Sequence, residues 1–288
     1  MTAIRLRPTG LLTYDNCPRS YHYQYVLGIE TVMADANLVF GTVVHDACTR
    51  WLLAQVAGQP FDPVQAFRAA WEQATATQAI DYPSTFTPTE LAATGESLVR
   101  QFPAVWEATG LMPLIGPEGQ PLVEVRLEAE VVAGVILSGK PDIVAMDREA
   151  GIVVLDLKTA SSAAVEGFVT VADQLTAGQV LIETHAERLG IDRDQISALG
   201  FMELLKRKPN GRKGPEVLSP WLVPRREEAA LAEFRTKVLW IAEDVARGRF
   251  PKRPRMAFNT PCACCKFAGL CQRGDWDGLV RPAQPLGF

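Results

Sequence analysis

The stretch Gly139-Lys140-Pro141-Asp142-Ile143-Val144-Ala145-Met146-Asp147-Arg148-Glu149-Ala150-Gly151-Ile152-Val153-Val154-Leu155-Asp156-Leu157-Lys158-Thr159 holds two apolar, β-branched runs around a short polar turn. Two such runs about a turn containing glycine predict a β-hairpin. With Asp147 facing Gly151, the register brings Asp142 opposite Asp156, and the period of two puts Lys158 on the face of Asp156. One face then carries two carboxylates and an amine. Facing carboxylates repel, and burying them is costly unless a cation compensates. Oxygen ligands of this kind suit Mg²⁺ or Mn²⁺, and a neighbouring lysine can position a water or stabilise charge developing on a phosphate. A surface hairpin with one Asp-Lys pair and a second Asp at a strand start fits the same spacing, so the residues alone leave both readings open.

Upstream of the hairpin, Leu11 to Leu27 reads as a short helix before Cys17 and a second from Pro18, because proline breaks one helix and opens another. Tyr21 and Tyr25 lie a turn apart, on a face that serves as core or as a platform for stacked bases. Helical patterns run from Val43 to Val56, Pro63 to Ile80 and Thr89 to Trp106. His45 lies in the first of these, its role depending on whether that helix packs beside the hairpin. Strands are expected at 121–131 and 134–146, with Glu124, Arg126, Glu128 and Glu130 alternating on a solvated face. Downstream come a strand at 152–157 and a helix from Val171 to Leu189. A second hairpin follows, with strands near 198–205 and 215–223 about an Asn210-Gly211 turn, and then a helix from Glu227 to Ala246.

A formal charge of −4 excludes a uniformly basic nucleic-acid coat but leaves room for local patches. Two such patches exist: Lys206, Arg207, Lys208, Arg212 and Lys213 in the second hairpin loop, and Arg247, Arg249, Lys252, Arg253 and Arg255 before the last cysteines. Clusters like these are usually solvated surface, but two of them in an acidic chain favour contact with a phosphate backbone. Hydrophobic residues make up 48% of the 288, enough for a sizeable globular core. The absence of a signal-peptide pattern or an apolar run of membrane-spanning length makes a cytoplasmic location the expectation, with no membrane partner.

Four of the six cysteines fall between 262 and 271, a crowding that in a reducing compartment favours metal or cluster ligation over disulfides. Cys262 and Cys265 form a C-x2-C pair and Cys271 follows six residues later. A fourth ligand must come from elsewhere, with Cys17 the leading candidate. Four thiolates fit a [4Fe-4S] cluster or a structural Zn²⁺, and either would staple the two chain ends together.

Taken in order, Tyr14-x-x-Cys17-Pro18-x-x-Tyr21, Gly41-x-x-x-His45, Gly139-Lys140-Pro141-Asp142, Asp156-Leu157-Lys158-Thr159, Gln174-Leu175 and the terminal C-x2-C-x5-C resemble the RecB-like exonucleases of the PD-(D/E)XK superfamily. The likeness is to the iron-sulfur branch that contains AddB nuclease domains and Cas-four. The resemblance implies an α/β, restriction-endonuclease-like fold, a mixed central sheet flanked by helices. The expected parts are an N-terminal segment at 1–45, a helical block at 46–115, a nuclease core at 116–250 and an iron-sulfur region at 251–288.

It further implies that His45, Asp142, Asp156 and the carbonyl of Leu157 bind metal, that Lys158 is the catalytic lysine, and that Gln174 orients the site. Cys17, Cys262, Cys265 and Cys271 match the cluster ligands, which turns the preference from zinc to iron-sulfur. Gly178 stands where the family's QxxxY pattern has tyrosine, and Asp156 where glutamate is frequent. The implied activity is Mg²⁺- or Mn²⁺-dependent exonucleolytic hydrolysis of single-stranded DNA ends in recombination, repair or CRISPR adaptation. Tyr21 and the basic residues would contact DNA, and an integrase or helicase is the partner the branch suggests. The alternative is a catalytically silent DNA-end-binding subunit.

Overall fold

A computed structural model of the protein describes residues 3–149, 151–209, 211, 213–253 and 260–281. β1 (Ile4–Leu6) precedes α1 (Pro8–Asn16) and α2 (Pro18–Tyr21), each of which opens on a proline whose missing N–H costs nothing in a first turn. Cys17 between them is extended, so the break expected at Pro18 is present. After a π-helical turn at His22–Val26 come β2 (Glu30–Thr31) and β3 (Ala34–Asp35). α3 (Ala36–Val56) starts earlier than the expected Val43, because Asp35 caps it by accepting from the Asn37 N–H at 2.7 Å. α4 (Pro63–Thr77), β4 (Ile80–Asp81) and α5 (Pro88–Thr109) follow, the last opened by a Thr87–Glu90 capping box. The boundary expected at 45/46 falls inside α3.

β5 (Met112–Pro113) and β6 (Leu127–Val132) show that the strand expected from 121 begins only at Leu127. The run expected at 134–146 is two strands, β7 (Val135–Gly139) and β8 (Ile143–Asp147). They are separated where Pro141 has no N–H for a ladder. β9 (Gly151–Ala160) completes the first hairpin. The helix expected from Val171 to Leu189 is three: α6 (Glu166–Val171), α7 (Asp173–Thr184) and α8 (Ala186–Leu189), interrupted at an extended Ala172 and at His185. β10 (Ile196–Leu205), β11 (Glu216–Val217), β12 (Trp221–Pro224), α9 (Glu228–Ala246), α10 (Ala268–Arg273) and β13 (Leu279–Val280) end the chain. Asn210 of the second turn lies outside the described residues.

Contacts group the chain into two units, each drawn from separated segments. The unit of Met1–Met33, Glu128–Gly139 and Arg226–Phe288 holds the sheet β1-β7-β6, with β1 parallel to β7, and the pair β13-β2. α1 and α9 pack on it. Its aromatic core includes Tyr21, 3% exposed, stacked on Phe250 and against Tyr14 and Tyr25. That burial removes Tyr21 as a base-stacking residue: its ring is spent on packing.

The unit of Ala34–Leu127 and Lys140–Arg225 holds the sheet β11-β10-β9-β8-β5, with β12 also paired to β10. β9 and β10 run parallel and bury both faces, which explains their nearly continuous apolar sequence. Val153, Leu155 and Leu157 point into a core shared with α3, α4 and α5. The alternate positions Val154, Asp156 and Lys158 point to the α7 side, where a Cβ on Gly178 would be 3.6 Å from Val154. A Cβ at position 178 would therefore make an ordinary contact with the sheet, whereas a tyrosine ring would need more room than that.

Candidate functional site

The hairpin register is as the sequence indicates: Asp147 pairs with Gly151 and Ile143 with Leu155, which sets Asp142 at the level of Asp156. Asp142 is 8% exposed, and its Oδ2 accepts from the Leu157 N–H at 2.8 Å. α3 approaches β9 closely because residue 41 is glycine; a Cβ there would sit 3.0 Å from Thr159 Oγ1. One turn further along α3, His45 reaches the acids, with Nε2 2.9 Å from Asp142 Oδ2.

Its other nitrogen, Nδ1, is 3.1 Å from Glu124 Oε1, a residue the alternating pattern assigned to a solvated strand face. Glu124 instead precedes β6 with φ of 56°, the only non-glycine left-handed residue among those described. Such a conformation costs of order 1–3 kcal/mol and persists only where surroundings enforce it. Here the Glu124 N–H donates to the Asp142 carbonyl at 2.7 Å, and Lys140 Nζ pairs with Oε1 at 2.8 Å. No sequence pattern announces a left-handed glutamate, so nothing short of the tertiary contacts could have found it.

Ligand atoms of His45, Glu124 and Asp142 all lie within 4.8 Å of one another, the one such group of three or more metal-ligating side chains among the described residues. Burial pulls the His45 imidazole down, but hydrogen bonds to Asp142 and Glu124 outweigh it and raise its pKa to about 9. The His45 bond, against burial and with help from Lys140, holds Glu124 down at about 2. Glu124→Gln removes one of the two carboxylates on His45. In the metal-free protein its imidazole should then titrate at least about tenfold more acidically, read by an NMR titration; an unmoved midpoint would separate Glu124 from the imidazole.

Asp156 lies outside this group of three but is close enough for the Asp142 charge to act on it. Burial first and the Asp142 charge second raise its pKa to about 6, against the pull of Lys158. Gln174, at the start of α7, bridges acid and amine: Nε2 donates to Asp156 Oδ1 at 2.5 Å, and Oε1 accepts from Lys158 Nζ at 2.7 Å. Lys158 Nζ is also ion-paired with Asp156 Oδ2 at 2.8 Å. A hard cation is what such a donor set suits: the carboxylates of Glu124 and Asp142 and the His45 imidazole, with the Asp156 carboxylate beside them. His45, Glu124, Lys140, Leu157 and Lys158 line a cleft of about 460 Å³ beside it.

Lys206, Arg207, Lys208 and Lys213 border an open pocket with Ser84, Thr85 and Phe86. These cations already have partners: Lys206 bonds Asn37, Arg207 pairs with Glu216 at 3.0 Å and Lys208 with Glu90 at 2.7 Å. Lys213 also has a partner. Lys252 donates to the Cys271 carbonyl at 2.6 Å and Arg253 is exposed. Arg212 and Arg255 lie outside the described residues.

Cys48 is fully buried in the core, which pushes its thiol up and removes it as a ligand. Burial raises the Cys265 thiol, a backbone hydrogen bond at Phe267 opposes it, and the charges of Cys262, Cys17 and Cys271 add to the rise; among the described residues these four sulfurs do not make up a close ligand group. Cys264 is exposed.

The family model described as "PD-(D/E)XK nuclease superfamily" matches residues 5–272. No curated protein matches. A solved structure titled "Crystal structure of SSO0001" aligns with a TM-score of 0.41 at 12% identity, over 93% of this chain and 85% of that one. Among the described residues no helix is long and apolar enough to cross a membrane.

Proposed function

The chain belongs to the PD-(D/E)XK nuclease superfamily, and from that membership we propose a metal-dependent exonuclease of the RecB-like, iron-sulfur branch that acts on single-stranded DNA ends. The observation that carries this reading is the convergence of His45, Glu124 and Asp142 beside a part-buried Asp156 tied to Lys158. His45, Asp142, Asp156 and the Leu157 carbonyl would hold Mg²⁺ or Mn²⁺. The ion would polarise the scissile phosphate and lower the pKa of an attacking water.

The protein's own groups do the rest. Glu124 accepts from His45 Nδ1 and so fixes the ring with Nε2 directed at Asp142, the arrangement by which a carboxylate orients a metal-binding histidine. Gln174 holds Lys158 next to Asp156, where its ammonium can orient a water or screen the charge of the pentavalent phosphorane. The cationic pocket about Lys206, Lys208 and Lys213 would draw in the backbone.

From the resemblance, Cys17, Cys262, Cys265 and Cys271 would bind a [4Fe-4S] cluster, or Zn²⁺ in its place; the charges of Cys262, Cys17 and Cys271 acting on Cys265 support that reading. Recombination, repair or CRISPR adaptation is the setting this branch implies, with an integrase or helicase presenting the end. Timed digestion of 5′- and 3′-labelled single strands and duplexes with Mg²⁺ or Mn²⁺ tests the reading. It expects stepwise shortening of single strands that stops when metal is chelated. DNA that stays intact under every metal condition overturns it.

A further inference from the structure

We propose that Phe168 and Trp221 form a stacking platform for unpaired bases beside the metal cluster, and that this platform makes the protein prefer single strands. The inference rests on the nuclease reading above. α6 presents Val165, Phe168 and Val171 at successive spacings of three, 69%, 54% and 71% exposed, while Val169 is buried. An apolar ridge this exposed is not what a six-residue surface helix needs for its own stability.

Three observations tie the ridge to the site. Phe168 stacks on Phe201, centroids 5.9 Å apart and planes at 17°. Phe201 pairs with Asp156 across β10 and β9, so the two residues stand on neighbouring strands, whose backbones are about 4.8 Å apart, with their side chains on the same face. Lys158 Nζ lies 5.8 Å from the centre of that same ring. Trp221, 44% exposed, pairs with Phe201 on the other side, so Asp156, Phe201 and Trp221 form one row across three strands. The loop leading to α6 is pinned as well: buried Glu203 accepts from the Ala164 N–H at 2.8 Å.

A phosphate held near Asp156 and Lys158 therefore has an aromatic surface at nucleotide distance. An aromatic face accepts any base, but only one whose own face is free. Bases in a duplex are already stacked on their neighbours, whereas those of a single strand can be splayed onto the protein. This chemistry favours a nucleic-acid strand over a protein occupant, because the row begins at the acid that would face the phosphate.

The test measures anisotropy binding of a labelled oligothymidine, the same-length abasic strand and a blunt duplex to the full chain in chelator, and Mn²⁺-dependent digestion in parallel. Phe168→Leu keeps apolar cover over Phe201 but removes the ring. It should weaken oligothymidine binding roughly 5- to 100-fold, with duplex binding changed less than about twofold. Phe168→Trp should restore it, Trp221→Leu should weaken it in the same direction, and the wild type should bind the abasic strand as poorly as the Leu variant binds oligothymidine. Equal binding of oligothymidine by wild type and both Leu variants, or of abasic and base-bearing strands by the wild type, overturns the platform. Absence of digestion with the binding contrast intact overturns the nuclease reading alone.

Discussion

Lys158→Ala should cut metal-dependent phosphodiester cleavage by about 100- to 1000-fold, the scale of removing one preorganised group that meets charge in the transition state. Asp156→Asn should bring it to background. The two differ because they remove different things. Lys158 is half-exposed and held by Gln174, so alanine deletes a positioned ammonium while the carboxylates stay in place. Asp156 is part-buried and ion-paired with Lys158, and asparagine takes away its charge and, on the proposed reading, a metal ligand. Neither change opens a cavity in the core formed by Val153, Leu155 and Leu157 on the opposite face of β9, so both variants should melt near the wild type. Thermal unfolding beside a rate assay separates loss of chemistry from loss of fold. Wild-type rates in Asp156→Asn would remove that residue from the mechanism.

Affinity for Mg²⁺ should fall about 1000-fold between pH 9 and pH 6, and more steeply below. Metal binding needs His45 deprotonated at Nε2, and the flanking carboxylates hold that proton up to a pKa of about 9. Each pH step of one below it therefore costs about tenfold. Asp156, raised by burial and Asp142 to about 6, adds a second tenfold per step below that point.

Stability of the metal-free protein runs the other way. His45 is raised from 6.5, so its contribution is complete below that value and lost as pH rises through about 9. Asp156, raised from 3.8, likewise favours the fold at low pH and withdraws that support as pH passes about 6. The thermal shift on adding Mg²⁺ should therefore grow steadily from pH 6 to pH 9, and His45→Gln should flatten it. A shift that is constant across that range would mean that no proton is displaced.

The hairpin and its register were legible because two β-branched runs and a glycine turn fix a period of two, and that period placed Asp142, Asp156 and Lys158 correctly on its own. The expected positions of His45 and Gln174 rest on family resemblance; in the fold Gly41 lets α3 close on the sheet, which brings His45 to Asp142. Glu124 was illegible, because its value lies in a left-handed backbone that residues 121–126 do not encode locally. Tyr21 was misread as available for stacking, since helical spacing says which rings share a face but not whether that face meets Phe250. Phe168 is exposed instead, in a segment whose helix was expected to start only at Val171.

The most direct test of the account is calorimetric titration of Mn²⁺ into the wild type and into Asp142→Ala and Asp156→Ala at pH 8. Specific uptake should involve the imidazole and both acids and weaken at least about 100-fold in each variant. Undiminished Mn²⁺ affinity in both variants would contradict it, because no cation would then join these residues.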